Sequence, residues 1–426
     1  MARMQAVAGA LAALVSFLIH VPEVSAQNAS CAALTARFAP KLAKGYTSAV
    51  IATGLRSPRH MVIDTAGNLL VAEGGSSSVR RLVLKENDDG TVCVTSNAVL
   101  ASGTNHEVTL SGDGNTLFVS NLSSVTAYPY DAEKGTVGTA KVLINNMTFR
   151  GTHPTRALLV SKMNSDIILV ARGSISNVDN AAAELSTGRA VLKMFSLGQA
   201  APAPIDFNTG GETLGWGLRN LVGLGEDPVY GGVWSVENNI EDAKFNGKDV
   251  HNENPAEKAN YHGTLNATSN PFKGANYGYP SCFPVWDPSF FGDGVQVGDL
   301  FHADNTPAAT DCASRQKGRL NFPSHTAPLD IKFNANATAA YIAFHGGWNR
   351  DIPDGYRVMR IAFKNGDPVE PATSREAQIP VMENQNTLAC PRSCFRPVGL
   401  AFDNKGRLYV SSDSSGEIHV IYGLEG

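Results

Sequence analysis

Six times along the chain a polar or basic residue stands a few positions ahead of an apolar stretch, an Asp/Asn/Gly turn and a second apolar stretch, and self-similarity at this spacing restricts the chain to a repeat architecture. The first unit reads Arg59-His60-Met61-Val62-Ile63-Asp64-Thr65-Ala66-Gly67-Asn68-Leu69-Leu70-Val71. The second opens at Asn105-His106 and continues through Val108, Asp113-Gly114-Asn115 and Leu117-Phe118-Val119. The pattern returns from His153 to Val170, from Arg219-Asn220 to Val236, from Thr326 to Ala343 and from Arg396 to Val410. Two turn-linked strands per unit predict propeller blades, so the expected fold is an all-β, six-bladed β-propeller. The units take roughly 60 residues each against ~40–50 in the commonest propeller repeats. The excess lies between Ala181 and Gly215 and between Ile240 and Ser324, which predicts long inserted loops. The strand-like Thr47–Ile51 precedes the first head, and it is expected to complete the last blade as its outer edge.

Positions 1–26 read as a secretory signal peptide: Arg3, an apolar run from Ala6 to Ile19, then Val24-Ser25-Ala26 with small or branched residues where a signal peptidase reads. Residues 27–426 are then one secreted, extracellular propeller domain, expected to act as a monomer. No other stretch approaches the ~20 apolar residues of a spanning helix. Sequons at Asn28, Asn121, Asn146, Asn266 and Asn336 fit an extracellular glycoprotein. In that compartment the six cysteines are expected in disulfides, and sequence proximity pairs Cys31 with Cys93, Cys282 with Cys312 and Cys390 with Cys394. With 35 basic against 39 acidic residues and no basic stripe, neither nucleic acid nor an anionic membrane is an expected partner.

In a propeller the first strand of each blade borders the central channel, so equivalent positions of the repeats gather around one opening. Here they are Arg59 and His60, His106, His153 and Arg156, Arg219 and Asn220, His325, and Arg396. Such a ring of cations and imidazoles suits an anionic cofactor; the alternative is that these side chains cap strand-end carbonyls. No P-loop, dinucleotide fingerprint, zinc-ligand spacing or serine nucleophile elbow is present.

Six further segments carry a resemblance. Thr152-His153-Pro154-Thr155-Arg156, Gly217-Leu218-Arg219-Asn220, Trp234-Ser235-Val236-Glu237-Asn238, Asn276-Tyr277-Gly278-Tyr279-Pro280, Phe344-His345-Gly346-Gly347-Trp348-Asn349-Arg350 and Arg396-Pro397-Val398-Gly399-Leu400 resemble, in order, soluble quinoprotein sugar dehydrogenases. The fungal pyranose dehydrogenases and bacterial sorbosone dehydrogenases are the members most alike. The resemblance implies pyrroloquinoline quinone (PQQ) and Ca2+ on the loop-bearing face of the propeller, with hydride passing from a pyranose, aldose or keto-aldose to the quinone. It places Arg156, Arg219, Asn220, Trp348, Asn349, Arg350 and Arg396 around the cofactor, and the ring of heads adds Arg59. The guanidinium forks of Arg219, Arg350 and Arg396 suit the cofactor's three carboxylates. His153 holds the family's base position, with Arg219 polarising the reacting quinone oxygen. Carbonyl donors for calcium fall near Asn239 and Ile240, within Glu237–Asp242.

One position departs from the bacterial enzymes: Ser174 stands where a carboxylate orients the base, which leaves another orienting group, or His345 as the base, as alternatives. Trp216, Tyr279, Trp286 and Trp348 are candidate surfaces for sugar or quinone, Trp216 being the one most expected in the core. The run Asp249–Asn254 is expected to be structural. Electrons must leave for a separate acceptor, such as a copper oxygenase, a cytochrome or a small quinone. Two other functions fit the same fold: a Ca2+-dependent lactonase, which needs carboxylates and Asn from several blades, and a non-enzymatic glycan- or protein-binding propeller.

Overall fold

The computed structural model describes residues 33–148, 151–198, 204–308 and 311–424. The expected signal peptide, Cys31 and the sequon at Asn28 lie outside the described residues, so that signal and the Cys31–Cys93 pairing are not described. Six mainly antiparallel sheets account for almost all the regular structure among the described residues. Blade 1 takes Pro58–Ile63, Leu69–Glu73, Ser78–Glu86 and Val92–Ser102 from the axis outward. The inner strands of the later blades are Val108–Leu110, Leu158–Val160, Asn220–Glu226, Pro328–Phe333 and Pro397–Phe402. Each inner strand touches those of both neighbouring blades, and Pro397–Phe402 meets Pro58–Ile63, so the ring is closed. No helix among the described residues is long and apolar enough to cross a membrane.

The period-two alternation of each second strand explains the packing. Leu69 and Val71 face blade 6 with Tyr409 and Val420, whereas Leu70 and Ala72 face blade 2 with Val108 and Leu117. Ile168 and Val170 likewise join blade 2, and Leu169 and Ala171 join blade 4. A strand buried on both faces has to be apolar throughout, which is why these stretches lack the apolar/polar alternation of a half-solvated sheet. The clusters between blades are dense with large side chains; fully buried Trp234, packed on Phe333 and Phe363, is worth about 3–5 kcal/mol against alanine. At the axis, Gly223 permits the backbone of Asp330 to approach, and a Cβ on Gly399 would strike the carbonyl of Arg59. Blades this close need glycine there.

Thr47–Ala52 pairs antiparallel with Glu417–Tyr422 as the outer edge of blade 6, as the position of the N-terminal strand predicts. Pro40–Leu42 extends blade 5 in the same way, pairing with Ile379–Asn384. Among the described residues of the two long insertions, Ala182, Ile240, Val250, Tyr279, Phe283 and Phe301 form a small core of their own. The Cys282–Cys312 and Cys390–Cys394 disulfides form as proximity predicts. Together these loops wall one end of the axis.

Candidate active site

Each inner strand runs from this walled end toward the opposite one, where the ends of all six line a separate cavity. The second strand of each blade returns to the walled end. Two sets of residues therefore meet there, those at or ahead of the start of the first strand and those just after the second. Arg59, His153, Arg219 and Arg396 belong to the first set; Ser174, Asn239 to Glu241, His345 and Asp413 belong to the second.

His153 directs Nδ1 at both the carbonyl oxygen (3.0 Å) and the hydroxyl (2.9 Å) of Ser174, whose Oγ donates onward to the carbonyl of Ser176. A carbonyl only accepts, so Nδ1 carries the hydrogen and Nε2 the lone pair. Nε2 has no hydrogen-bond partner among the described residues. Burial, helped by the charge of Arg219, pulls the imidazole down to about 3, so it is neutral at any ordinary pH. Gly173 makes the approach possible, since a Cβ there would sit 3.1 Å from the carbonyl of Arg219 and 3.2 Å from the Cβ of His153.

The Arg219 guanidinium is almost fully buried and donates to the carbonyl (3.0 Å) and side chain (2.8 Å) of Asn177 and to the carbonyl of Asn238 (3.2 Å). The Glu241 carboxylate bridges it at 3.8 Å to His325 Nδ1 at 3.2 Å. His325 Nε2 donates to the carbonyl of His251. Burial opposes the charged form of His325, but Glu241 and Glu257 outweigh it and hold the imidazole above its ordinary value. Behind this pair, buried Glu257 accepts the amide of Asn239 at 2.6 Å, and Asn239 Nδ2 donates to the carbonyl of Ala256. Among the described residues no hydrogen bond reaches the carbonyl oxygens of Asn239 or Ile240, while those of Asn238, Glu241 and Asp242 each accept one. Two donor-free carbonyls beside a carboxylate form the oxygen-rich set that a hard cation takes.

Blades 1, 5 and 6 contribute a second cluster. Asp413 receives Arg59 Nη1 at 2.9 Å and His345 Nε2 at 3.0 Å. Arg396 donates to the carbonyls of His345 (3.1 Å) and Gly346. Burial would raise Asp413, yet His345, Arg59 and Arg396 hold its carboxyl well below the usual range. Burial also pulls His345 down, against the attraction of Asp413. Nη2 of Arg59 and Nη1 of Arg396 keep no partner among the described residues, so two cationic donors are available to an anion.

The remaining candidates divide by their surroundings. Asn349 donates to the carbonyl of Glu241 (2.6 Å), tying the blade 5 loop to the Asn239–Glu241 segment, and Asn220 is half-buried with its Oδ1 close to Gly173. Arg350 pairs with Glu253 and donates to the carbonyl of Ser324. Trp348 is 69 % exposed. Arg156 is 1 % exposed and donates to the carbonyls of His153, Thr155 and Met147, so its fork closes the backbone beneath His153 and does not reach the mouth. Of the other aromatics, Trp216 packs into the blade 2–3 core and Trp286 lies under Arg375. Tyr279 is buried and receives the amide of Asp179 on its hydroxyl, bracing the loop that carries Asn177. The segment Asp249–Asn254 is structural in its contacts, with Asn254 Oδ1 accepting the amides of Trp286 and Asp287.

Sequence reasoning missed Asp413, the carboxylate of Glu241, whose segment was read for its backbone carbonyls, and Asn177. For the first two a signal existed: each follows the second strand of its blade, which the repeat register alone returns to the mouth.

The sequence model described as TrAA12-like matches residues 40–424. The chain belongs to this family. It is 40 % identical over 422 residues to a pyrroloquinoline quinone-dependent sugar dehydrogenase of Hypocrea jecorina (strain QM6a), covering 96 % of this chain and 95 % of that protein. The calcium structure of the Trichoderma reesei family AA12 enzyme superposes with a TM-score of 0.88 at 40 % identity, covering 92 % of this chain and 99 % of the other. The holo form of the PQQ domain of Coprinopsis cinerea pyranose dehydrogenase superposes with a TM-score of 0.83 at 34 % identity, over 90 % and 97 % of the two chains.

Proposed function

We propose that this chain is a secreted, PQQ-dependent sugar dehydrogenase assisted by Ca2+, with His153 as general base. Family membership with the quinone-dependent enzymes above supports the oxidoreductase reading. The observation that carries the base assignment is the fixed tautomer of His153, which presents an unbonded Nε2 lone pair at the mouth. When bound, the quinone supplies a carbonyl carbon that accepts hydride, polarised by calcium.

The protein's residues then have distinct tasks. The free donors of Arg59 and Arg396 pair with cofactor carboxylates, and the carbonyls of Asn239 and Ile240 hold calcium. Arg219, fixed by Asn177 and Glu241, sets a positive charge beside His153. His153 Nε2 takes the proton of an anomeric or neighbouring hydroxyl as hydride leaves the same carbon, giving a lactone or ketosugar. Exposed Trp348 offers a pyranose face an apolar surface. The signal-like segment 1–26 supports secretion, as do the exposed sequon asparagines Asn146, Asn266 and Asn336. Electrons pass to a separate acceptor.

Titration of the apoprotein with PQQ, with and without Ca2+, tests this reading, followed by anaerobic addition of aldoses and keto-aldoses while the quinone absorbance is followed. Calcium-dependent binding and bleaching by one sugar class is the expected result. Absence of binding would sink the dehydrogenase reading.

A further inference from the structure

Beneath the candidate active site, on the propeller axis, lie three ionisable side chains that the chemistry above does not use. His60 is 1 % exposed, His106 0 % and Glu107 4 %. One ligand atom from each falls within 4.8 Å of the others. His60 Nε2 lies 3.0 Å from the carbonyl oxygen of Leu329, and His106 Nε2 lies 3.1 Å from that of Val222. These carbonyls belong to blades 5 and 4, across the axis from blades 1 and 2, so the rings are clamped by the assembled ring. Carbonyls only accept, which puts the hydrogen on Nε2 of both imidazoles and a lone pair on Nδ1 of each neutral ring.

That tautomer creates a conflict. His60 Nδ1 stands 2.6 Å from Glu107 Oε2, so a lone pair faces a carboxylate oxygen. A positive particle has to lie between them, either a proton or a metal ion. His106 lies beside this pair, its imidazole centroid 4.1 Å from that of His60 and one of its ring nitrogens within 4.8 Å of the other two ligand atoms. Two imidazole nitrogens and one carboxylate, each imidazole oriented through its far nitrogen by a backbone carbonyl, match the ligand set of a borderline divalent ion such as Zn2+ better than that of Ca2+.

One member of the cluster also borders a cavity. The cavity at the far end of the axis, about 360 Å3, is lined by the ends of all six inner strands, including Ile63, Leu110, Val160, Glu226 and Phe402, and Glu107 forms part of its wall. Glu107 is thus the member of the cluster that borders a cavity away from the candidate active site.

We propose that His60, His106 and Glu107 form a binding site for a Zn2+-class divalent ion on the propeller axis, separate from the calcium site. The ion replaces the proton between His60 and Glu107, so binding releases a proton and weakens with acid. The competitor is Arg59, whose Nε lies 3.3 Å from His106 Nδ1 and must leave as the metal arrives. Because Nη1 of the same guanidinium holds Asp413, occupancy of the axis site reports at the mouth through Arg59.

Co2+ is a suitable probe, since its visible bands report the ligand set. The chelator-treated full chain is titrated with CoCl2 in the presence of excess Ca2+, and each variant's fold is checked by thermal melting. One equivalent should give the intense bands of a low-coordinate Co2+ site, displaced by Zn2+ and not by Ca2+. Glu107→Gln, which preserves shape, and His106→Asn should each weaken binding about tenfold or more, whereas Arg59→Met should tighten it. No stoichiometric binding to the native chain overturns the proposal. So does undiminished binding by a folded Glu107→Gln variant, which would assign the ion to surface groups such as the exposed Asp249–His251 pair. If His106→Asn does not fold, Glu107→Gln and Arg59→Met decide the matter.

Discussion

His153 and Ser174 meet twice, through the backbone carbonyl at 3.0 Å and the hydroxyl at 2.9 Å, and it is the carbonyl that dictates which imidazole nitrogen bears the proton. An orienting carboxylate is therefore unnecessary: a serine suffices because the main chain supplies the acceptor. Replacing His153 by Gln is expected to lower kcat by about 10²–10⁴-fold while leaving quinone binding intact. Ser174→Ala, which keeps the carbonyl, should cost less than tenfold, an order-of-magnitude expectation for a spare bond. If His345→Gln abolishes turnover and His153→Gln does not, the base is the His345–Asp413 pair.

The pH profile follows from the same geometry. His153 must be neutral to accept a proton, and its pKa lies down at about 3, through burial and then Arg219. Its acid limb in kcat/KM should thus appear far below the ordinary 6.5, with activity lost only as pH falls toward 3. Arg219→Gln removes the neighbouring positive charge, so the limb should move to higher pH. A limb unmoved in that variant would detach it from His153.

Stability has its own acid dependence. His262, between the hydroxyls of Ser235 and Tyr277, is fully buried and brought down from 6.5 to about 3, chiefly by burial. In that window the unfolded chain binds a proton that the folded chain does not, so stability falls as pH drops from 6.5 toward 3. His262→Gln is expected to flatten the curve of Tm against pH there, whatever it does to Tm at neutrality.

Calcium should be held less well when the segment that presents Asn239 and Ile240 is loosened. Glu257→Gln exchanges a buried carboxylate that accepts the Asn239 amide for a weaker acceptor, and about tenfold weaker calcium binding is expected by titration. Chelation of the native enzyme should abolish turnover, and Ca2+ should restore it.

Trp348 offers a contrasting test. With 69 % of its surface exposed it contributes little to folding, so Trp348→Ala should alter stability by no more than ~0.5 kcal/mol. Its loss should appear as a raised KM for the sugar, measured with the quinone saturating.

How much of this is legible from the sequence depends on which strand of the repeat is read. The heads at or ahead of the start of the first strands, Arg59, His153, Arg219 and Arg396, are visible as a polar residue before an apolar run. Arg156 shows the limit of that reading: a cation three residues from the base looks like a ligand until its three carbonyl partners appear. Asp413 and Glu241 follow second strands, so only the repeat register points to them, and their partners lie on other segments of the same or adjacent blades. The closure by Thr47–Ala52 is legible because an unmatched first strand and an incomplete last unit call for one another. The tautomer of His153 is not, since a backbone carbonyl leaves no mark in the residue code.

That closing strand also bears on how the molecule comes into being. Thr47 pairs with Tyr422, so blade 6 joins nearly the two ends of the described chain and cannot assemble until its last strand has been synthesised. Until then the ring is an open arc with an apolar flank at each end, and pairing of such distant segments is slow. His60 and His106 find their clamping carbonyls on blades 5 and 4, and Arg59 finds Asp413 on blade 6. The interior of the axis is therefore completed late, by the same event that shuts the ring.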